Sequence, residues 1–322
     1  MSGSYRAMLC PRLGPPEMLE PAGLPRRPLQ ADELRIAVHA AGVNFPDLLQ
    51  VAGRYQHKPA LPFVPGMEAA GTITECGPAV TGWQPGDAVI ARLRGGGYAT
   101  EAIVTADALL PKPAGWSWQE AAAFPVAAAT AWVALVPRGR LQAGETLLVL
   151  GAGGGTGLAA VALGARLGAR VLAVASSPEK RAAAQAAGAA ETIDPALPGW
   201  QTAVQAHAVF DPVGGTLFDA AWKALAPGGR WLVVGFAGGE PPRPPANRLL
   251  LKEAELIGVR AGEQGRRNPA AGRRLDAALT DWLVGGEGRP LVGGEYRLEE
   301  AAAALQALAG RRATGKLVLR CR

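Results

Sequence analysis

Cysteine and histidine are both scarce in this chain, with three of each in 322 residues. Cys10, Cys76 and Cys321 lie far apart in the sequence, which argues against a disulfide framework and for a reducing compartment, the cytoplasm. A four-cysteine structural zinc site would need more thiolates than the chain has. His39, His57 and His207 are each isolated from any cysteine at ligand spacing, so no metal site is expected. Aromatic residues make up only 6%, and no RNA-binding aromatic signature accompanies the arginines. Charge runs are also missing. The net charge of +6 is spread through pairs such as Arg266/Arg267, Arg273/Arg274 and Arg311/Arg312, which read as solvated faces rather than a nucleic-acid surface. The longest apolar stretch, Ala121 to Val136, contains Pro125 and Thr130 and falls short of the roughly 20 residues a membrane span needs, so it reads as a core helix. Arg6, Pro11, Arg12, Pro15 and Pro16 break up the first 24 residues, and no signal peptide is expected.

Glycine, by contrast, is plentiful, and its most informative cluster lies between Leu147 and Ser177. There the chain reads LLVL, then GAGGGTG, then an Ala/Leu/Val helical pattern, then VLAVASS. A buried strand, a glycine loop, a helix and a second strand form the context of a dinucleotide site. Gly151, Gly154 and Gly157 follow at three-residue spacing, and a helix beginning near Thr156 or Gly157 offers its positive end to pyrophosphate. Gly153, Gly154, Gly155 and Thr156 are therefore the candidate phosphate contacts.

The end of the second strand bears on which dinucleotide. An NAD site usually places Asp or Glu about 20 residues past the loop, on the ribose hydroxyls. Ala175, Ser176 and Ser177 stand there instead, with Lys180 and Arg181 one turn into the next helix. Two hydroxyls and a cation, with no carboxylate to repel a 2′-phosphate, suit NADPH. Ser176 or Ser177 also fits as the N-cap of a helix opening at Pro178 and Glu179, and the two roles are compatible.

The first third of the chain is rich in Gly and Pro with short alternating apolar runs and reads as a β-rich domain. Leu34, Ile36 and Val38 face one way, and Glu33, Arg35 and His39 the other. From Gln119 onward, helical patterns alternate with apolar strands at Leu147 to Leu150, Val171 to Ala175, Glu191 to Ile193, Ala208 to Phe210, Trp231 to Val234 and Glu255 to Val259. Such alternation implies an α/β fold with a doubly wound parallel sheet. Two helices, Ala270 to Val284 and Glu299 to Ala309, precede a strand at Lys316 to Leu319. That strand has no evident partner in the parallel sheet and is expected to return to the first domain.

The segments AAGVNFPDLLQVAGRY (40 to 55), PFVPGMEAAGTI (62 to 73), PGDAVIA (85 to 91), AAAFPVAAATAW (121 to 132), GAGGGTG (151 to 157), FDPVGG (210 to 215), GGRWLVVGFAGG (228 to 239), ANRLLLK (246 to 252) and ATGKLVL (313 to 319) occur in this order. Through them the chain resembles the zinc-independent, zeta-crystallin-like quinone oxidoreductase branch of the medium-chain dehydrogenase/reductases. The resemblance spans nearly the whole length. It implies a GroES-like β-barrel catalytic domain over 1 to 123, completed by 265 to 322, and a Rossmann dinucleotide-binding domain over 124 to 264, with the cofactor between them. Zinc-dependent relatives carry a histidine ligand where Met67 stands, and a thioether is a poor substitute for imidazole at zinc.

The implied activity is hydride delivery from NADPH to a quinone or an α,β-unsaturated carbonyl compound. Without a Lewis acid, hydrogen bonds must stabilise the developing charge, and Asn44 and Tyr55 are the candidate catalytic donors. Both also fit as cofactor contacts. Asn44 also fits as a turn residue, and Asp47 as a charge at a helix start. The resemblance places Thr130 on the nicotinamide amide, and Gly235, Phe236, Ala237, Gly258 and Val259 along the nicotinamide through their backbone. The third strand departs from the family pattern, since Pro195 and Ala196 follow Asp194 where a Tyr or Arg often binds the 2′-phosphate. Phe45, Tyr55, Phe63 and Met67 would supply an apolar substrate pocket. A homodimer is expected from the unprotected strand near Glu255 to Val259. Two other readings stay open: an NADPH-binding sensor or structural protein with little turnover, and a basic-surface nucleic-acid-associated protein.

Overall fold

The computed structural model describes residues 3–286 and 288–322. They divide into two compact units, Met1–Val126 with Arg289–Arg322, and Ala127–Gly288.

The first unit opens with an antiparallel pair, β1 (Ser4–Leu9) and β2 (Glu20–Pro25). Its main sheet begins with β3 (Glu33–Val43), which leads into helix α1 (Phe45–Val51), and continues through β4 (Glu68–Cys76), β5 (Ala88–Arg92), β6 (Glu101–Thr105) and β7 (Leu109–Pro111). Alternation in β3 does what the sequence implies, with Leu34, Ile36 and Val38 all fully buried. The opposite face is covered as well. Arg35 is nearly buried, because Nε reaches Glu75 Oε2 at 3.0 Å and Nη1 lies 3.9 Å from Glu101 Oε2, so its charge is met where it would otherwise be stranded.

Helix α2 (Trp118–Ala123) starts at a reciprocal cap, with Ser117 Oγ accepting from Glu120 N–H at 3.1 Å and Glu120 Oε2 from Ser117 N–H at 2.7 Å. It is followed at once by α3 (Pro125–Val133) and a widened turn over Ala134–Arg138. Together Trp118–Arg138 form a 21-residue apolar helical run, longer than the sequence reading gave. By length and composition alone it could cross a membrane, yet 67% of its most apolar window is buried within the fold, as a core helix requires.

The second unit holds β8 (Thr146–Leu150), α4 (Gly155–Arg166), β9 (Arg170–Val174), α5 (Pro178–Ala186), β10 (Glu191–Ile193), α6 (Trp200–Ala203), β11 (Ala206–Asp211), α7 (Gly215–Ala221), β12 (Leu225–Val233), α8 (Ala246–Lys252) and β13 (Glu255–Gly258). The six strands are parallel in the order β10-β9-β8-β11-β12-β13. The chain winds outward from β8 in one direction and from β11 in the other. Between those two strands lies the switch point where doubly wound sheets place ligands. Every residue of β8 is buried, which is why its sequence is continuously apolar. Trp222 and Phe218 pack on Trp231 with ring centroids 5.6 and 4.6 Å away.

Helices α9 (Ala261–Arg267) and α10 (Pro269–Val284) belong to this second unit rather than to the first, so its boundary falls at Gly288 and not at 264. The apolar stripe Leu275, Leu279, Trp282 and Leu283 is buried. The chain then returns to the first unit as β14 (Val292–Arg297), α11 (Ala301–Ala309) and β15 (Lys316–Arg320). As expected, β15 joins the barrel, antiparallel to β3 and parallel to β14.

Candidate functional site

In the second unit the glycine loop connects β8 to α4. Gly151 has φ +61, a conformation that favours glycine, and a Cβ on Gly157 would strike the Gly151 carbonyl where helix and strand approach closely. The N-cap is Gly154, which has no capping side chain, so the first-turn N–H groups of α4 have no helical partner and point at whatever occupies the loop. Gly153 lies under the stem of Lys180. A Cβ there would stand 3.1 Å from Lys180 Cα and collide with its Cβ and Cγ.

At the end of β9, Ser177 caps α5, its Oγ accepting from Lys180 N–H at 3.3 Å. Arg181 is committed elsewhere: Nη1 donates to Ala175 O at 3.1 Å and pairs with Asp194 at 2.9 Å. The loop thus brings Gly153, Ser177 and Lys180 together, with Ser176 exposed beside them.

Two more loops meet at the carboxyl ends of β11 and β12. Asp211 is fully buried. Its Oδ1 accepts from Val213 and Gly214 N–H at 2.9 and 2.8 Å, and its Oδ2 from the Trp231 indole at 3.1 Å. Burial raises its pKa and these bonds oppose the rise. The carboxylate folds the loop from Pro212 to Gly215 onto itself. The loop from Val234 is stitched to it by Ala237 N–H to Pro212 O at 3.1 Å and Gly238 N–H to Val213 O at 2.6 Å. This leaves Phe236 exposed, with Gly235 and Ala237 on either side. Val259, just past β13, donates its N–H to Val233 O at 2.9 Å, which places Gly258 and Val259 at the same end of the sheet. Thr130 is half-buried in α3.

In the first unit Asn44 follows β3 at the N-cap position of α1, almost wholly buried and with no side-chain cap bond. Its amide is engaged inside: Nδ2 donates to Glu68 Oε1 at 2.8 Å and Oδ1 accepts from Lys316 Nζ at 2.6 Å. Lys316 also reaches Glu68 Oε1 at 2.5 Å and Val43 O at 3.1 Å. Glu68 Oε2 accepts from Val126 N–H at 2.8 Å. A Cβ on Gly42 would collide with the Glu68 carboxylate, so the glycine makes room for the buried charge.

Asp47, expected at a helix start, accepts from Asn44 N–H at 2.8 Å and from the Tyr98 hydroxyl at 3.0 Å. Its complete burial pushes its pKa up to about 7, against those hydrogen bonds, and burial also raises the Tyr98 hydroxyl well above its usual value. Tyr55, half-buried, lies in the turn after α1, its N–H donating to Leu49 O at 3.1 Å.

Sequence reasoning missed Glu68, Tyr98 and Lys316. A carboxylate opening the apolar run EAAGTI and a lysine opening LVL were the available signals.

Every cysteine and two of the histidines have other surroundings. Cys10 and Cys321 are buried, and Cys76 Sγ faces Trp83 O. His39 stacks on Trp118 at 4.2 Å and meets Thr72 Oγ1 at 3.2 Å, while His207 Nδ1 accepts from Thr146 N–H at 2.9 Å. Among the described residues no three of His, Cys, Asp and Glu gather as a metal site.

Comparison with known proteins agrees with this architecture. Residues 30–114 match the family described as alcohol dehydrogenase GroES-like domain, and residues 155–275 the family described as zinc-binding dehydrogenase. Quinone oxidoreductase-like protein 2 of Bos taurus is 39% identical over 98% of this chain and 92% of its own length. The chain belongs to the medium-chain dehydrogenase/reductase superfamily. A probable oxidoreductase from Mycobacterium abscessus superposes with a TM-score of 0.88 at 36% identity, covering 99% of this chain and 100% of that one. A mycobacterial protein solved in complex with NADPH gives 0.89 at 30% identity, covering 98% of this chain and 100% of its own.

Proposed function

We propose that this member of the superfamily is a cytoplasmic NADPH-dependent oxidoreductase that reduces a quinone or an α,β-unsaturated carbonyl compound without zinc. The observation that carries the cofactor choice is the seating of Lys180 against Gly153 beside the Ser177 cap, where an NAD site would hold a carboxylate. The nucleotide would be held by the α4 N–H groups at Gly155 and Thr156 on its pyrophosphate, and by Ser176, Ser177 and Lys180 on its 2′-phosphate. When bound, NADPH supplies the hydride. Gly235, Phe236, Ala237, Gly258 and Val259 would line the nicotinamide by backbone, and Thr130 its amide. Asn44 and Tyr55 donate hydrogen bonds to the substrate oxygen as charge develops there.

The donor set does not fit zinc. Met67 stands where zinc-dependent relatives carry imidazole, and the histidines and cysteines are dispersed.

A homodimer is part of the same proposal. Among the described residues strand β13 is one of the two free edges of the parallel sheet, and Leu250, Leu251 and Leu256 are exposed on and beside it. Sedimentation showing only monomer at micromolar concentration overturns that assembly.

Recording NADPH oxidation against naphthoquinones, enals and enoyl thioesters tests the activity, with calorimetry of NADPH against NADH and zinc analysis alongside. Turnover with one of these classes is the expected result. Tight NADPH binding with none turned over would make the protein a cofactor sensor, and tighter NADH binding or stoichiometric zinc would overturn the cofactor and metal assignments. Salt-dependent nucleic-acid binding in place of turnover would favour the basic surface as the functional one.

A further inference from the structure

The charged pair Lys316–Glu68 is sealed inside the barrel unit, its side chains 6% and 0% exposed. An interior ion pair of this kind is a poor device for stability alone, since well-packed apolar residues of similar volume commonly do as well or better. What this pair does geometrically is settle one amide.

The two ends of an asparagine side chain are nearly the same size and differ only in what they can bond. Lys316 can only donate, and all three of its protons are spent: on Val43 O at 3.1 Å, on Asn44 Oδ1 at 2.6 Å and on Glu68 Oε1 at 2.5 Å. Ionised Glu68 can only accept, and it takes one Asn44 Nδ2 proton at 2.8 Å. A reversed amide would set NH2 against ammonium and oxygen against carboxylate, so the ion pair permits a single orientation.

The carboxylate is itself pinned by Val126 N–H at 2.8 Å and by the space that Gly42 leaves. The second Nδ2 proton has only Gly42 O at 3.5 Å, longer than an amide hydrogen bond normally runs. It is the proton of Asn44 with bonding capacity left. The cation on the amide oxygen also polarises the group in the direction that strengthens its N–H donors.

We propose that Lys316 and Glu68 are positioning residues for turnover. They hold the Asn44 amide in the one orientation that offers its remaining Nδ2 proton to the carbonyl oxygen of a substrate. The inference rests on the reading of Asn44 as a substrate donor.

A double-mutant cycle on naphthoquinone reduction tests it, using Asn44→Ala, Lys316→Met and the double variant, with NADPH affinity measured on each to confirm an intact second unit. Asn44→Ala is expected to lower kcat by about a hundredfold, the effect of removing one preorganised donor, with KM little changed. Lys316→Met should lower kcat by a similar factor, and the double variant should fall no further than the worse single one. A double variant that loses the product of the two factors overturns the positioning role and leaves Asn44 as a donor. An Asn44→Ala variant with undiminished kcat, or a wild-type protein that turns over no substrate, overturns the donor reading and this inference with it. If Lys316→Met does not fold, Glu68→Gln carries the same cycle, because it keeps the shape and an acceptor for Val126 while removing the charge. Lys316→Arg, which restores the cation, should recover part of kcat, and no recovery in a folded variant counts against the proposal.

Discussion

Lys180 rests its aliphatic stem on Gly153, with the lysine Cα only 3.1 Å from where a glycine Cβ would be. The glycine loop and the residue proposed to bind the 2′-phosphate are therefore one packed unit, and a change in either is felt by both.

Gly153→Ala should raise the dissociation constant for NADPH, because the new methyl displaces the Lys180 stem at an overpacking cost of about 1–3 kcal/mol. Lys180→Ala should weaken NADPH by about tenfold or more, through loss of a charge-assisted contact, and leave NADH nearly unchanged. Calorimetric titration with both nucleotides separates these effects. Equal weakening of the two by Lys180→Ala would remove the 2′-phosphate assignment.

Ser177 caps α5, and the nucleotide contact proposed for it can be separated from that cap. Ser177→Ala removes the α5 cap and should lower unfolding stability by about 0.5–2 kcal/mol in urea titrations. Ser177→Asp keeps the cap, since a carboxylate accepts from Lys180 N–H as well as a hydroxyl does, and should preserve stability while shifting preference from NADPH toward NADH. A Ser177→Asp protein with unchanged nucleotide preference would place this residue away from the ribose.

Asp47 sets a pH dependence of definite sign. Its folded pKa, about 7, lies above the ordinary carboxyl value of 3.8. The folded state therefore holds a proton that the unfolded chain has released, and this contribution is fully present below about pH 4 and is lost as pH rises to about 7. Acids whose pKa is lowered, such as half-buried Glu33 beside Arg27, act the opposite way but only below about pH 4.5. Asp47→Asn should thus flatten the fall in stability between pH 4 and pH 7, as read from denaturant midpoints across that range. A wild-type protein whose stability climbs through that window would show that Asp47 ionises freely in the fold.

Asp211→Asn places an NH2 group against the Trp231 indole N–H, or against the Val213 and Gly214 N–H groups if the amide turns over. Either arrangement leaves a buried donor unpaired, at a cost of about 1–3 kcal/mol. NADPH affinity should fall as the loop loosens. An Asp211→Asn protein as stable as wild type would mean that water or backbone movement satisfies those donors.

The parallel sheet was legible because β8, β9 and β11 carry the apolar runs Leu147–Leu150, Val171–Val174 and Ala208–Phe210, separated by helical patterns, and the glycine loop because its spacing has a steric cause. The barrel was harder. β3 could be read from its alternation, but β14 (VGGEYR) has two glycines and no apolar period, and it exists because β15 offers it an edge. The assignment of α9 and α10 depended on which unit their buried stripe would meet, which no local pattern encodes. At the site, residues near in sequence were found together, as with Asn44 and Asp47. Glu68 and Lys316 stand 248 positions apart, and their meeting is a product of topology alone.

That separation has a consequence for how the chain matures. Residues 127–288 can collapse around their own interior as soon as they leave the ribosome, whereas the opening 126 residues must wait for the cation that meets Glu68 and the Asn44 oxygen until residue 316 has been synthesised. Clipping the strand that bears this lysine would therefore do more than fray a terminus: it would strand an anion at the heart of a region made long before.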